Sequence, residues 1–149
     1  MRKIVLTVIL AISIVSLASA QDYNNGVGLR GGTNWGLTIK HFVSDNAAFE
    51  GILYAYGNGL NVTGLYEVHN QAFDVDRLRW YYGFGAHLGN YSSDNVSNFV
   101  LGVDGVLGIE YSFTEAPISI GLDWNPYINL VGNTDFLPNS GALSIRYIF

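Results

Sequence analysis

Gly141-Ala142-Leu143-Ser144-Ile145-Arg146-Tyr147-Ile148-Phe149 is the stretch that decides the fold. Side chains alternate across an extended strand, so Leu143, Ile145, Tyr147 and Phe149 share one face, and Ala142, Ser144, Arg146 and Ile148 the other. One face is apolar, while the opposite one carries a guanidinium that an apolar slab cannot accept. A strand with lipid on one side and a polar lumen on the other satisfies both faces.

Seven earlier segments, working back from this one, repeat the pattern. They are read as Asn25–Gly32, Gly36–Val43, Ala47–Tyr56, Leu60–Val68, Arg77–Gly89, Phe99–Phe113 and Ile118–Leu130, each near the roughly 9–11 residues of a tilted membrane strand. The cleanest is Arg77–Gly89. There Leu78, Trp80, Tyr82, Phe84, Ala86 and Leu88 oppose Arg77, Arg79, Tyr81, Gly83, Gly85 and His87. Thr33-Asn34-Trp35, Ser44-Asp45-Asn46, Gly57-Asn58-Gly59 and Thr114-Glu115-Ala116-Pro117 read as turns. His69–Asp76, Asn90–Asn98 and Val131–Ser140 read as longer links, and Pro126 as the point where the seventh strand leaves the membrane. The predicted class is all-β: an eight-stranded antiparallel up-and-down transmembrane barrel.

Arg2 and Lys3 precede an apolar run, Ile4 to Leu17, followed by Ala18-Ser19-Ala20, the pattern of a secretory signal cleaved before Gln21. The run is shorter than the roughly 20 residues of a spanning helix. Residues 1–20 are therefore expected to be a signal peptide, and 21–149 one barrel domain. A hydrophobic fraction of 49% against 13% charged is apolar for a soluble domain, yet beyond the signal no run is long enough for a membrane helix. There is no cysteine, hence no disulfide and no lipid-bearing amino-terminal Cys. Beyond residue 20 the basic residues are Arg30, Lys40, Arg77, Arg79 and Arg146, against 12 acids, a balance that argues against nucleic acid.

Parity sharpens the reading. Those five basic residues all fall on the face opposite the aliphatic one, and so do Glu50, Glu67, Asp104, Glu110 and Asp123. The remaining acids lie in turns, links or the amino-terminal segment. A soluble lipocalin-like barrel would also segregate its charges, with the charged face outward. Against it stand the signal sequence and the bulk of the apolar face, whose Trp80, Tyr82, Phe84, Trp124, Tyr147 and Phe149 exceed what the lumen of eight strands can hold. The glycines at 28, 32, 83, 85, 102, 108 and 121 would leave room inside for long polar side chains. The ten charged residues are expected to form a closed luminal ion-pair network, with Arg79 between Glu67 and Glu110. An even strand count puts both ends on the periplasmic side, with the links at Ser44, His69 and Thr114; the longer links Asn90–Asn98 and Val131–Ser140 face outward. Trp80 and Tyr147 would anchor the inner interface, Trp35 and Tyr91 the outer one.

On its strand rhythm and closing strand the chain, from Asn25 to Phe149, resembles the small eight-stranded outer-membrane barrels of the OmpX and OmpA transmembrane-domain type. The resemblance implies that Ile145, Tyr147 and Phe149 are a recognition signal for the barrel-assembly machinery, with Ser144 where the family often has glycine. It also implies residence among outer-membrane lipids as a monomer, and adhesion or host contact where strands protrude. Other barrels of this size resemble the lipid A palmitoyltransferase PagP and deacylase PagL, so a lipid A-modifying enzyme is the rival reading. His87 beside Asp104, with Ser92 or Ser93, is the nearest nucleophilic constellation. A small porin is a third reading, opposed by the balanced inward charges. Gly26-Val27-Gly28-Leu29-Arg30-Gly31 satisfies a dinucleotide fingerprint without the helix that must follow it, and His41, His69 and His87 lack metal-site spacing. No cofactor and no metal are expected.

Overall fold

The computed structural model describes residues 23–132 and 136–149, and the backbone alone at Tyr56 and Ser93. The signal segment, Asp22 and Asp135 lie outside the described residues. Ten strands follow in order: β1 (Asn25–Gly32), β2 (Trp35–Phe42), β3 (Ala47–Tyr56), β4 (Gly59–Gln71), β5 (Leu78–Ser93), β6 (Val96–Ser112), β7 (Ile118–Trp124), β8 (Tyr127–Val131), β9 (Phe136–Leu137) and β10 (Gly141–Ile148). All neighbours are antiparallel, β1 pairs with both β2 and β10, and β5 pairs with β6. The sheet is thus closed on itself. β7 and β8 are two parts of one strand, and β9 is a short pairing ahead of β10, so the architecture is an eight-stranded antiparallel barrel with no helix among the described residues.

The faces sort as alternation demands. In β10 the burial pattern is strictly two-sided: Leu143 and Ile145 are exposed, while Ala142, Ser144, Arg146 and Ile148 are buried. Phe84 (69% exposed), Leu122 and Trp80 point away from the axis, whereas Arg30, Lys40 and Arg146 are at most 1% exposed. Near the end that carries the termini, outward rings pack in pairs, Trp80 on Tyr82 (5.4 Å) and Tyr111 on Phe113 (5.0 Å), with Tyr147 and Phe149 beside them in the sheet. Trp35 and Trp124 stand outward near the other end.

Several boundaries differ from the sequence reading, each for a local reason. Trp35 belongs to β2, where it pairs with Ala55, rather than to the turn. Asn90–Asn98 is not a loop. β5 and β6 pair through Ser93 and Val96 and reverse over Asp94 and Asn95, at φ 50° and 64°. Two consecutive left-handed residues make the tight hairpin turn that matches strand twist, and Asp and Asn are the non-glycine residues that tolerate it. β4 runs on to Gln71, leaving a compact link in which Val75 N–H donates to the Ala72 carbonyl (3.1 Å). Pro126 interrupts the seventh strand instead of ending it: Gly105 N–H donates to the Pro126 carbonyl (2.9 Å) and Asn125 Nδ2 to the Gly105 carbonyl (2.6 Å), and β8 resumes beyond the break. The expected loop Val131–Ser140 contains β9, paired with β8.

Inward glycines serve two ends. A Cβ at Gly85 would stand 1.8 Å from the Gly64 carbonyl oxygen, so the tightly coiled wall itself excludes a side chain there. A Cβ at Gly108 would meet the Tyr81 ring at 2.5 Å, and there the glycine does make room for an inward side chain.

Candidate functional site

The interior holds the chemistry. Antiparallel pairing sets Lys40 on β2 opposite Glu50 on β3, and Gly28 on β1 opposite both Thr38 and Arg146, which leaves the axis open to the long side chains. Lys40 Nζ lies 2.8 Å from Glu67, 3.4 Å from Glu110 and 3.5 Å from Glu50, and 4.4 Å from the centre of the Tyr81 ring. Arg146 spans the barrel, donating through Nη2 to Glu50 (2.5 Å) and through Nη1 to Glu110 (2.8 Å). Toward the other end Arg30 forms a two-pronged pair with Asp123, donates through Nε to Tyr54 Oη (2.8 Å), and lies beside Ser144.

Three buried cations here face four buried carboxylates, Glu50, Glu67, Glu110 and Asp123, among the described residues. Hydroxyl donors supplement them: Tyr23 bonds Glu110, Thr38 bonds Glu50, and Tyr81 donates to Asp123 at 2.8 Å. His69 Nε2 lies 2.9 Å from Glu67, its ring stacked on Tyr81 at 4.7 Å between centroids. Ions with so little water around them persist only when paired and hydrogen-bonded, and this cluster supplies both. Ile52, Leu65 and Val106, with the Tyr54 and Tyr81 rings, fill much of the remaining interior.

Of the ten residues expected in the network, the structure brings Arg30, Lys40, Glu50, Glu67, Glu110, Asp123 and Arg146 together. Asp104 lies apart, 2.7 Å from His87 Nδ1. Arg77 and Arg79 reach backbone carbonyls near the end that carries the termini. Arg77 precedes β5 and donates to the carbonyls of Ser112 (2.8 Å) and Phe113 (2.9 Å); Arg79 donates to that of Asp45 (2.8 Å), at the rim. The position between Glu67 and Glu110 expected for Arg79 is held by Lys40. Alternation assigns a residue to a face, but a residue at the first turn of a strand is at the rim whichever face it takes.

Among the described side chains the His87–Asp104 pair continues to Asn129, not to Ser92. The other ring nitrogen, Nε2, lies 2.9 Å from the Asn129 side-chain oxygen. Ser92 is five residues further along β5, on the opposite face, about 16 Å away at strand rise. His41 is exposed and bonded to Asn25 (2.7 Å). No group of three metal-ligating side chains occurs among the described residues.

No protein-family model matches the chain, and no curated protein matches it in sequence. A solved structure does match: the N-terminal β-barrel domain of Pseudomonas aeruginosa OprF, with a TM-score of 0.64 over 84% of this chain and 95% of that one, at 17% identity. The shared feature is the fold. Like the OprF domain, this chain is a small closed barrel of eight antiparallel strands.

Sequence reasoning missed Tyr23 and Phe42. Tyr23 precedes the first strand and turns into the lumen, where Phe42 packs against it (5.0 Å) and against His69 (4.8 Å). Phe42 falls on the polar face by parity, a mismatch that marks an aromatic closing the lumen from inside.

Proposed function

We propose that the protein is an integral outer-membrane β-barrel whose lumen is closed by its ion-pair network, and that its role is structural or one of surface contact rather than catalysis. The observation that carries this reading is the inverted burial. A continuous outer belt of Leu, Ile, Val and aromatic side chains is exposed while Arg30, Lys40, Glu50, Glu67 and Arg146 are buried, the reverse of what water selects and what hydrocarbon requires. The paired outward rings near the end with the termini suit one membrane interface, and Trp35 and Trp124 the other. The similarity in fold to the OprF barrel domain supports the same location. Lys40 and Arg146 cross the axis and leave no continuous aqueous path in this reading, which argues against a porin. The separation of His87 from Ser92 argues against the lipid A-modifying alternative. In the same proposal the chain inserts as a monomer with help from barrel-assembly machinery that reads Ile145, Tyr147 and Phe149.

Fractionation and bilayer recording test it together. The full-length chain expressed in a Gram-negative host is expected in the outer-membrane fraction, resistant to alkaline extraction, and the purified barrel to give no steady conductance in planar bilayers. A detergent-free soluble product refutes the membrane assignment, and large steady single channels refute the closed lumen.

A further inference from the structure

At the end opposite the termini the barrel opens into a cavity of about 410 Å³. Its walls come from the interruption at Pro126. β7 stays paired with β10 as far as Trp124, whereas β8 departs to pair with β9, and the register of β6 against β8 shifts at Leu101/Gly102. Tyr127 and Asn129 on β8 thereby face Tyr91 on β5, with Asn61 on β4, Asn58 in the β3–β4 turn and Asn90 completing the wall.

The lining is selective in composition. None of the described residues around the cavity is charged, although charged groups fill the lumen beneath it. Its polar groups are carboxamides and hydroxyls, each both donor and acceptor, and its apolar surface includes two tyrosine rings. Asn129 is fixed from below by His87, which Asp104 holds in turn (2.7 Å), so one end of this amide is committed and the other left for a ligand. Tyr127 packs edge-on against the same imidazole at 5.3 Å. A ligand that suits such a wall has no charge, several hydroxyls that donate and accept at once, and a flat C–H face to set on a ring.

We infer that this mouth is a binding site for an uncharged saccharide of one or two pyranose units, with Tyr91 and Tyr127 as stacking platforms and Asn58, Asn61 and Asn129 as hydroxyl partners. The volume lies within the range of small-molecule pockets. The inference rests on the outer-membrane reading only for the direction in which the mouth faces; binding itself needs only the folded barrel.

The test is titration of cellobiose into the ¹⁵N-labelled barrel, refolded in micelles of a phosphocholine detergent that carries no sugar, with backbone and side-chain amides followed by NMR. Saturable shifts are expected at Asn61, Asn90, Tyr91 and Asn129, with a Kd of about 1 mM, and Tyr91→Ala is expected to weaken binding about tenfold. Unheated gel mobility reports folding. Should Tyr91→Ala fail to fold, Asn58→Ala, in an exposed turn, replaces it. Purified lipopolysaccharide in the same micelles separates the sources: mouth shifts with both ligands assign a lipid-borne glycan, and with cellobiose alone a free saccharide. Absence of shifts in a folded barrel overturns the site and leaves the membrane reading intact. Equal affinity in the variants, or a preference for glucose 1-phosphate over cellobiose, also overturns it.

Discussion

Lys40→Met tests the ion-pair network at its centre. Methionine nearly matches the apolar stem of lysine, so packing against Tyr81 is largely retained while the ammonium is lost. Of its three carboxylates, Glu50 and Glu110 keep Arg146 at 2.5 and 2.8 Å. Glu67 keeps His69 Nε2, at 2.9 Å, but no cation within the cluster. The damage is thus concentrated on one carboxylate that is fully buried. Removing one partner of a buried pair costs about 3–5 kcal/mol, most of it the price of the charge left behind. Lys40→Met should fall in that range, and Lys40→Met/Glu67→Gln should recover about half of the loss, a non-additivity that a double-mutant cycle including Glu67→Gln alone reads directly. Urea unfolding in phospholipid vesicles, followed by tryptophan fluorescence, measures it, because Trp35, Trp80 and Trp124 all lie on the outer face. A Lys40→Met barrel within about 0.5 kcal/mol of the parent, or a double variant no better than the single, refutes the pairing argument.

Two further substitutions probe the other faces in the same assay. Phe84→Lys puts a charge on an outward position midway along β5 and is expected to cost about 2–4 kcal/mol in bilayers, whereas Phe84→Leu should be nearly silent; equal stability of the two would place that face away from hydrocarbon. Asn95 holds φ 64°, so Asn95→Val is expected to lose about 1–2 kcal/mol and Asn95→Gly little or nothing; the reverse order would contradict a two-residue turn.

Much of this arrangement was legible because a strand repeats every two residues. The sides taken by Arg146, Lys40, Glu50 and Asp123 follow from counting outward from their neighbours, and closure follows from having nowhere else to bury them. Height along the barrel is another matter. Parity gives Arg79 and Glu110 one face and the register makes them opposite partners, yet Arg79 turns to the Asp45 carbonyl at the rim. Tyr23 lies before any periodic segment, so no pattern could announce that it enters the lumen to bond Glu110. The Asp94-Asn95 turn was open to reading, since Ser92-Ser93 and Val96-Ser97 continue the alternation on either side. A run of polar residues suggested a loop, and the two residues able to adopt left-handed backbone were the better signal.

Arg146 sits on the last strand and reaches carboxylates on the third and sixth. During biogenesis the concave side of the sheet would carry a larger anionic surplus until the carboxy-terminal segment docks on β1, since Glu50 and Glu110 would have Lys40 beside them but not yet Arg146. Entry of a half-zipped intermediate into hydrocarbon is penalised by that surplus. On the proposed outer-membrane reading, seam formation and membrane insertion would then be coupled, with the closing strand as the latch.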